Sequence, residues 1–576
     1  MNTALRILPL TFCLACLGAS ASTDPVQPGQ DAEIVHDAEF YVLRAEHGEK
    51  WATEDEGLNA KLAALREKHG SPPNIIHVMI DDTALGEIGF PAIQKIRGFS
   101  TPNLNKLASE GINFMRMYTE PSCTQSRAAA MTGRHPIRNG MYNVSFPFEN
   151  GGLAAGEVTM GEVFSEAGYA TAFYGKWHLG DVEQSYATNQ GFDEALWTPY
   201  NQATSMYLPA SEIVGAIAPT AYSPETFPDD PYDIDKGWRV KGLIWHLEGT
   251  KGGEVREFLP PTDRANWYEG MKQEEERTMA FIEKNAAAEK PFYVSYWPSL
   301  IAFSPFPETK TLSRGFLQEG LARLDPFMGQ LMERLKELGI AENTLVVFMG
   351  DNGPMTHNGP PGMVEVLFRG GKGDYTEGGV RVSAMAWWPG MIEPGQTVGD
   401  IIHITDLFTT FARLGGATEH IPTDRIIDGV DQTALFLNGD SHSRRDYVHI
   451  YTGEVYAATV KGRFKRHWVG ELPGLSGANF FDLYNDPREV QGMMLPMFPT
   501  KMMFSTMKAR HEIWMEKFPN AEEARGLPFT GIANARPETI RASKPRFGKN
   551  DVPFDVEAVM KRSSEYETFE ADWGIE

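Results

Sequence analysis

Short, almost wholly apolar runs recur along this chain, each followed by a polar turn and then by a stretch with helical spacing. Positions 74–80 (Asn-Ile-Ile-His-Val-Met-Ile) are the first, and a run of that length and composition predicts a strand buried on both faces. Thr101-Pro102 stands before Leu104, Leu107 and Ala108, with Gly111 beyond. That order predicts a helix capped by threonine, started by proline and closed by glycine. The same alternation predicts a helix over 158–167, a strand over 169–174, a helix over 274–284 and a strand over 292–297. An amphipathic helix over 317–338, ended by Gly339, and a buried strand over 344–349 complete the series. Strands alternating with helices imply an α/β fold, a large and mostly parallel sheet sandwiched by helices.

The flanks read differently. Arg6, the apolar run 7–17 and Ala19-Ser20-Ala21 form a leader over 1–21, cut near Ala21, which implies a periplasmic or secreted protein. The run is too short to span a bilayer, and no later stretch predicts a membrane span. Residues 22–71 are polar and charged, with a helix expected over 58–69, and read as an N-terminal arm. The main domain is expected over 72–445. Within it, 198–265 is rich in Pro, Gly, Trp and Tyr and reads as an insertion lining a pocket, with Trp238, Trp245 and Trp267 as candidates to stack on a ring. From 446 to 576 short strands (447–451, 456–460, 463–469) and a helix over 503–517 predict a smaller α+β C-terminal domain, and the last fifty or so residues an irregular tail.

Charge and cysteine count then narrow the chemistry. A formal charge of −24 argues against nucleic acid or an anionic membrane as a general partner. An anionic substrate would therefore need a local cationic site. Of three cysteines, Cys13 and Cys16 leave with the leader, so Cys123 has no partner for an internal disulfide. A lone cysteine is ordinarily a small buried hydrophobe; here its neighbours say otherwise. Nothing in the sequence speaks to oligomeric state.

Three predicted strands end in reactive residues. The run 74–80 leads into Asp81-Asp82, the run 344–349 through Gly350 into Asp351-Asn352-Gly353, and the run 169–174 through Gly175 into Lys176-Trp177-His178. Binding sites of open α/β sheets lie outside the carboxyl ends of the strands, so these groups share one rim. Converging carboxylates repel, and an all-oxygen ligand set points to a hard cation, Ca²⁺ or Mg²⁺. Asp, Asn and Gly are also ordinary turn residues, so it is their joint placement that carries the reading. Cys123 opens a predicted helix, where a nucleophile gains from free amides and the dipole, and Arg127 follows one turn on.

The segment Cys-x-x-Ser-Arg-Ala-Ala-x-x-Thr-Gly-Arg, Cys123 to Arg134, resembles the signature of type I sulfatases of the alkaline-phosphatase superfamily, the arylsulfatase-like enzymes. Further blocks agree in order: Pro73 to Asp82, Thr101 to Leu104, Gly175 to Gly180, Gly350 to Gly353, Arg369 to Gly373, Glu377 to Arg381, and Phe481 to Pro487. The resemblance spans roughly residues 72–515. It implies an alkaline-phosphatase-like fold and conversion of Cys123 to formylglycine by a formylglycine-generating enzyme. It also implies a metal, usually calcium, held by Asp81, Asp82, Asp351, Asn352 and the modified residue 123. Lys176 and Lys372 would hold sulfate, Arg127 would stand beside residue 123, and His178 would take a proton during sulfate release. Glu377 and Arg381 read as a supporting ion pair, and His357 as a candidate substrate contact.

Two positions depart from that pattern. Gln125 stands where the family has proline or a small residue. No histidine lies between His246 and His357, and Ala302 occupies the place where many sulfatases carry one. Three functions stay open on the sequence: hydrolysis of an aryl or carbohydrate sulfate monoester, hydrolysis of a phosphonate monoester or phosphodiester at the same site, and an unconverted protein that binds a sulfate or glycan.

Overall fold

The computed structural model describes residues 33–145, 150–200, 244–259, 264–299, 316–355, 367–469, 479–493, 498–525, 527 and 530–542. In chain order the strands of the main body are β1 (Asn74–Ile80), β2 (Ile112–Tyr118), β3 (Ala170–Lys176), β4 (Glu194–Thr198), β5 (His246–Thr250), β6 (Arg256–Phe258), β7 (Phe292–Trp297), β8 (Thr344–Gly350), β9 (Arg381–Trp387) and β10 (Gln396–His403). They form one sheet in the order β10-β2-β9-β8-β1-β7-β3-β4-β5-β6. β1 lies between β7 and β8, parallel to both, and every residue of these three strands is buried. That is why they read as unbroken apolar runs. β9 runs antiparallel between β2 and β8.

A second sheet joins β11 (Tyr447–Thr452), β12 (Val455–Lys461), β13 (Phe464–His467) and β14 (Phe480–Asp482), all antiparallel. The helix Phe498–Lys517 follows it, five residues longer at its start than expected. A large mostly parallel sheet with helices, and a small antiparallel one, is the architecture the alternation predicts.

Four local expectations need correction. The N-terminal helix runs Ala38–His69, 32 residues rather than twelve. Its first half buries Leu43 and Trp51, eight residues apart, a stripe too narrow to show as periodicity in a polar stretch. Secondly, Thr101 does not cap Pro102–Ser109 with its side chain. The carboxylate of Asp325 accepts from the amides of Asn103 and Leu104 (3.2 and 2.8 Å). Thirdly, Gly111 is needed for close approach: a Cβ there would collide with the carbonyl oxygen of Ala386. Finally, 246–250 and 256–258 of the expected insertion are strands, with β5 and β6 extending the edge beyond β4. Trp245 and Trp267 are buried edge-to-face partners, ring centroids 5.6 Å apart, so core packing occupies them. Trp238, Ala302 and His357 lie outside the described residues.

The core holds histidines that stay neutral. His77, in the middle of β1, sits edge-on to Trp297 and Phe411. Burial and the charge of Arg127 lower its pKa to about 3. Burial likewise lowers His36 to about 4 and, with the neighbouring His511, His449 to about 3. An unfolded chain takes up protons at these rings below its ordinary pKa of about 6.5. The stability they contribute is therefore complete above that pH and is lost as pH falls toward 4. Each ring costs roughly 1 kcal/mol per pH unit in that window. At His135 burial lowers the pKa, but Glu120 and Asp428 raise it above the ordinary value, so that ring works in the opposite sense. Urea denaturation at pH 7.5 and pH 5 should show a loss on the order of 3 kcal/mol; an unchanged midpoint would contradict the neutral-histidine core.

Candidate active site

The pairing of Ile80 with Gly350 sets the ends of β1 and β8 level, and the Asp351 amide donates to the Ile80 carbonyl at 2.9 Å. Asp81, Asp82, Asp351 and Asn352 therefore emerge side by side, all buried. Asp82 has φ +49° and donates its amide to Asp351 Oδ1 at 3.0 Å. Such a left-handed backbone is uncommon outside glycine and persists where surrounding contacts over-determine it.

The helix Cys123–Thr132 points its first residue at this row. Donor atoms of Cys123, Asp81 and Asp351 all lie within 4.8 Å of one another. One turn on, Arg127 is fully buried and its guanidinium is used on every side. Nε and Nη2 donate to Asp351 Oδ2 (3.1 and 2.8 Å), Nη2 also to Asp81 Oδ1 (3.2 Å), and Nη1 to the Lys176 carbonyl (2.6 Å). The Trp297 ring closes the remaining face, 5.2 Å from Cζ. Arg127 thus ties the helix that Cys123 opens to three strand ends.

Two lysines complete the cluster. Lys176, the last residue of β3, reaches past β7 to pair with Asp81. Lys372 lies on a loop held by hydrogen bonds from its own amide to the Pro354 carbonyl (2.8 Å) and from Gly373 to Pro121 (2.7 Å), and its Nζ donates to Asp82 Oδ1 at 2.6 Å. Glu377 and Arg381 pair at 3.2 Å, with Lys465 and Tyr118 also on Glu377. They brace this loop against the C-terminal sheet and stand off the cluster. Burial pushes Asp81 up, but Lys176, Lys372 and Arg127 together hold it well below the usual carboxylate range. Burial and the Asp81 charge raise both Asp82 and Asp351.

Among the described residues Asp82 Oδ2 and Asn352 Oδ1 are buried without a hydrogen-bond partner. Buried oxygens of this kind call for a ligand, since leaving one bare costs on the order of 1–3 kcal/mol. Two unfilled oxygens beside two further carboxylates form a donor set that fits a hard divalent cation. Among the described residues, the group of candidate ligands that lie together here, Asp81, Cys123 and Asp351, contains no histidine.

His178 sits two residues beyond Lys176, also at positive φ (+57°). Its Nε2 donates to the Ser145 carbonyl at 2.8 Å, which leaves Nδ1 as the free lone pair, buried and unpartnered. Burial, then the Lys176 charge, keeps the ring neutral. No sequence signal marks Ser145, because a backbone carbonyl acts whatever its side chain is. Nor does one reveal the use of Gln125, whose Nε2 donates to the Tyr142 carbonyl at 2.8 Å.

Residues 73–417 match the Sulfatase family. Human arylsulfatase A is 33% identical over 505 residues, which cover 84% of this chain and 88% of the relative. N-acetylgalactosamine-6-sulfatase of Canis lupus familiaris is 32% identical over 411 residues, 69% of this chain and 72% of the relative. Among solved structures, the PsFucS1 sulfatase from Pseudoalteromonas sp. superposes with a TM-score of 0.70 at 29% identity, covering 82% of this chain and 96% of that one.

Proposed function

The chain belongs to the sulfatase family of the alkaline-phosphatase superfamily, and on that premise we propose that it cleaves a carbohydrate or aryl sulfate monoester at Cys123, giving the alcohol and inorganic sulfate. The observation that carries the reading is the convergence of Cys123, three carboxylates, Arg127 and two lysines on one buried rim. The carbohydrate class is supported by the named activity of the N-acetylgalactosamine-6-sulfatases.

A formylglycine made from Cys123 by a formylglycine-generating enzyme would supply the attacking oxygen, and Ca²⁺ or Mg²⁺ held by Asp81, Asp82, Asp351 and Asn352 the charge that polarises the ester. The remaining roles belong to side chains of this chain. Lys176 and Lys372 meet the sulfate oxygens and stabilise the charge that builds on them. Arg127 helps hold Asp81 ionised and fixes Asp81 and Asp351 in place. His178 accepts a proton at Nδ1, the nitrogen its bond to Ser145 leaves free. The anionic protein thus presents a local cationic pocket to an anionic substrate. The leader over 1–21 supports a periplasmic or secreted site of action.

Purified protein from the native host should release sulfate from an aryl sulfate or N-acetylgalactosamine 6-sulfate at least 100-fold faster than it hydrolyses a phosphodiester or phosphonate monoester. Chelation should abolish the activity and Ca²⁺ restore it. Faster phosphodiester cleavage would overturn the assignment.

A further inference from the structure

We propose that the segment after the last long helix is a positioning strap for the active site, an inference that rests on the sulfatase reading for its catalytic half. Residues 521–525, 527 and 530–536 run back from Phe498–Lys517 across the body of the protein. Ala521 donates its amide to the Ile137 carbonyl (3.2 Å), Gly152 to Ala524 (3.2 Å), and Leu527 to Asn150 (2.8 Å). Asn143 Nδ2 reaches Glu523 Oε2 at 3.3 Å. Further on, Thr530 Oγ1 donates to Glu183 (2.6 Å), Tyr186 Oη to the Thr530 carbonyl (2.8 Å), and Ala533 to Val255 (2.8 Å). Asn534 and Arg536 anchor the far end on Glu257 of β6.

The strap crosses a segment that follows the Cys123 helix, described over 137–145 and 150–152. Gly140 and Gly151 are glycine where it crosses: a Cβ on either would collide with the carbonyl of Glu522 or Ala524. Met141, Ser145 and Gly151 on the segment and Glu523, Ala524 and Arg525 on the strap line a small void of about 10 Å³, room for about one water. From the inner side the same segment is tied to the nucleophile helix. Thr124 Oγ1 accepts from the Ser145 amide (3.1 Å), and Gln125 holds the Tyr142 carbonyl. Asp181 binds Gly151 in both directions (3.0 and 3.1 Å), and Leu153 donates to Leu179 (2.8 Å). Ser145 then fixes His178, whose left-handed backbone needs outside support. The strap therefore meets the histidine's support through Glu523, which accepts from Asn143 two residues before Ser145, and Ser145 holds the ring. Gln125, where the family signature has a smaller residue, is the inner clamp that matches this outer one.

The distal double variant Thr530→Val, Arg536→Ala loosens the strap without touching the segment, and Gly151→Ala pushes the strap off from beneath. Both should raise hydrogen exchange at the Gly152 and Leu527 amides at least tenfold. The downfield Nε2–H proton resonance of His178, assigned by its loss in His178→Gln, should broaden or disappear. Sulfate release should show kcat reduced about tenfold with KM within twofold, and Arg536→Lys with Thr530 retained should restore it. Fast exchange with an unmoved His178 resonance and parental kcat would overturn the proposal. So would parental exchange in both variants, or a general loss of melting temperature that accounts for the lost turnover. If the parent protein hydrolyses no sulfate ester, the sulfatase reading falls, and exchange and the His178 resonance still decide whether the strap positions the ring.

Discussion

Cys123→Ala should abolish sulfate release, a loss of about 10³-fold or more, with the fold intact. The size follows from the role: removing the attacking group of a site that works as a unit leaves only binding and charge stabilisation. Stability should hardly change, because the thiol is a small buried group and truncating it removes a single heavy atom. Steady-state sulfate release and a melting curve check both halves, and a variant with parental turnover would remove Cys123 from the mechanism. The parent needs one companion measurement, the mass of the peptide holding residue 123. An aldehyde or its hydrate is expected in protein from the native host. An unmodified thiol in fully active protein would mean that another group attacks.

The second large effect is on the fold. Arg127→Met should destabilise the protein by about 3–5 kcal/mol, the range for removing one partner of a buried ion pair. The guanidinium is 0% exposed and its removal takes two donors from Asp351, one of its cations from Asp81 and the Nη1 donor from the Lys176 carbonyl. Met fills much of the volume and stacks on Trp297, so the loss isolates charge rather than packing. Arg127→Lys should recover only part, since a single ammonium cannot serve oxygens on three strand ends at once. Urea denaturation of the three proteins gives the ranking; a Met variant as stable as the parent would show that Lys176 and Lys372 suffice to hold the carboxylates.

How much of this was legible in the sequence depended on the distance over which each feature is encoded. β1, β7 and β8 announced themselves because full burial demands apolar side chains at every position. The rim was legible for a related reason: strands that end together put their next residues together, and Asp81, Asp351 and Lys176 are those residues. Arg127 was expected beside the nucleophile, but its four-way use depends on β1, β3 and β8 being brought level, which no local pattern states. The first half of Ala38–His69 was hidden by its polarity, and β5 and β6 by their shortness and edge position. The Ser145 carbonyl and the strap were invisible for a deeper reason. They act through backbone groups, which every residue carries alike, and only Gly140 and Gly151 leave a trace of the crossing in the sequence.

The long N-terminal helix bears on how such a chain is made. Leu43 and Trp51 are buried against Tyr447 and Met507, Arg510 pairs with Glu39, and Trp514 Nε1 binds the His36 carbonyl. An element synthesised roughly 400 residues earlier therefore finds its cover in a later one. At about 5–20 residues per second the interval is roughly 20–90 s, during which an apolar stripe has nowhere to go. Keeping that stripe from premature partners is a task for the cell's chaperones, and a ribosome that stalls before residue 447 would release a chain that sticks to others.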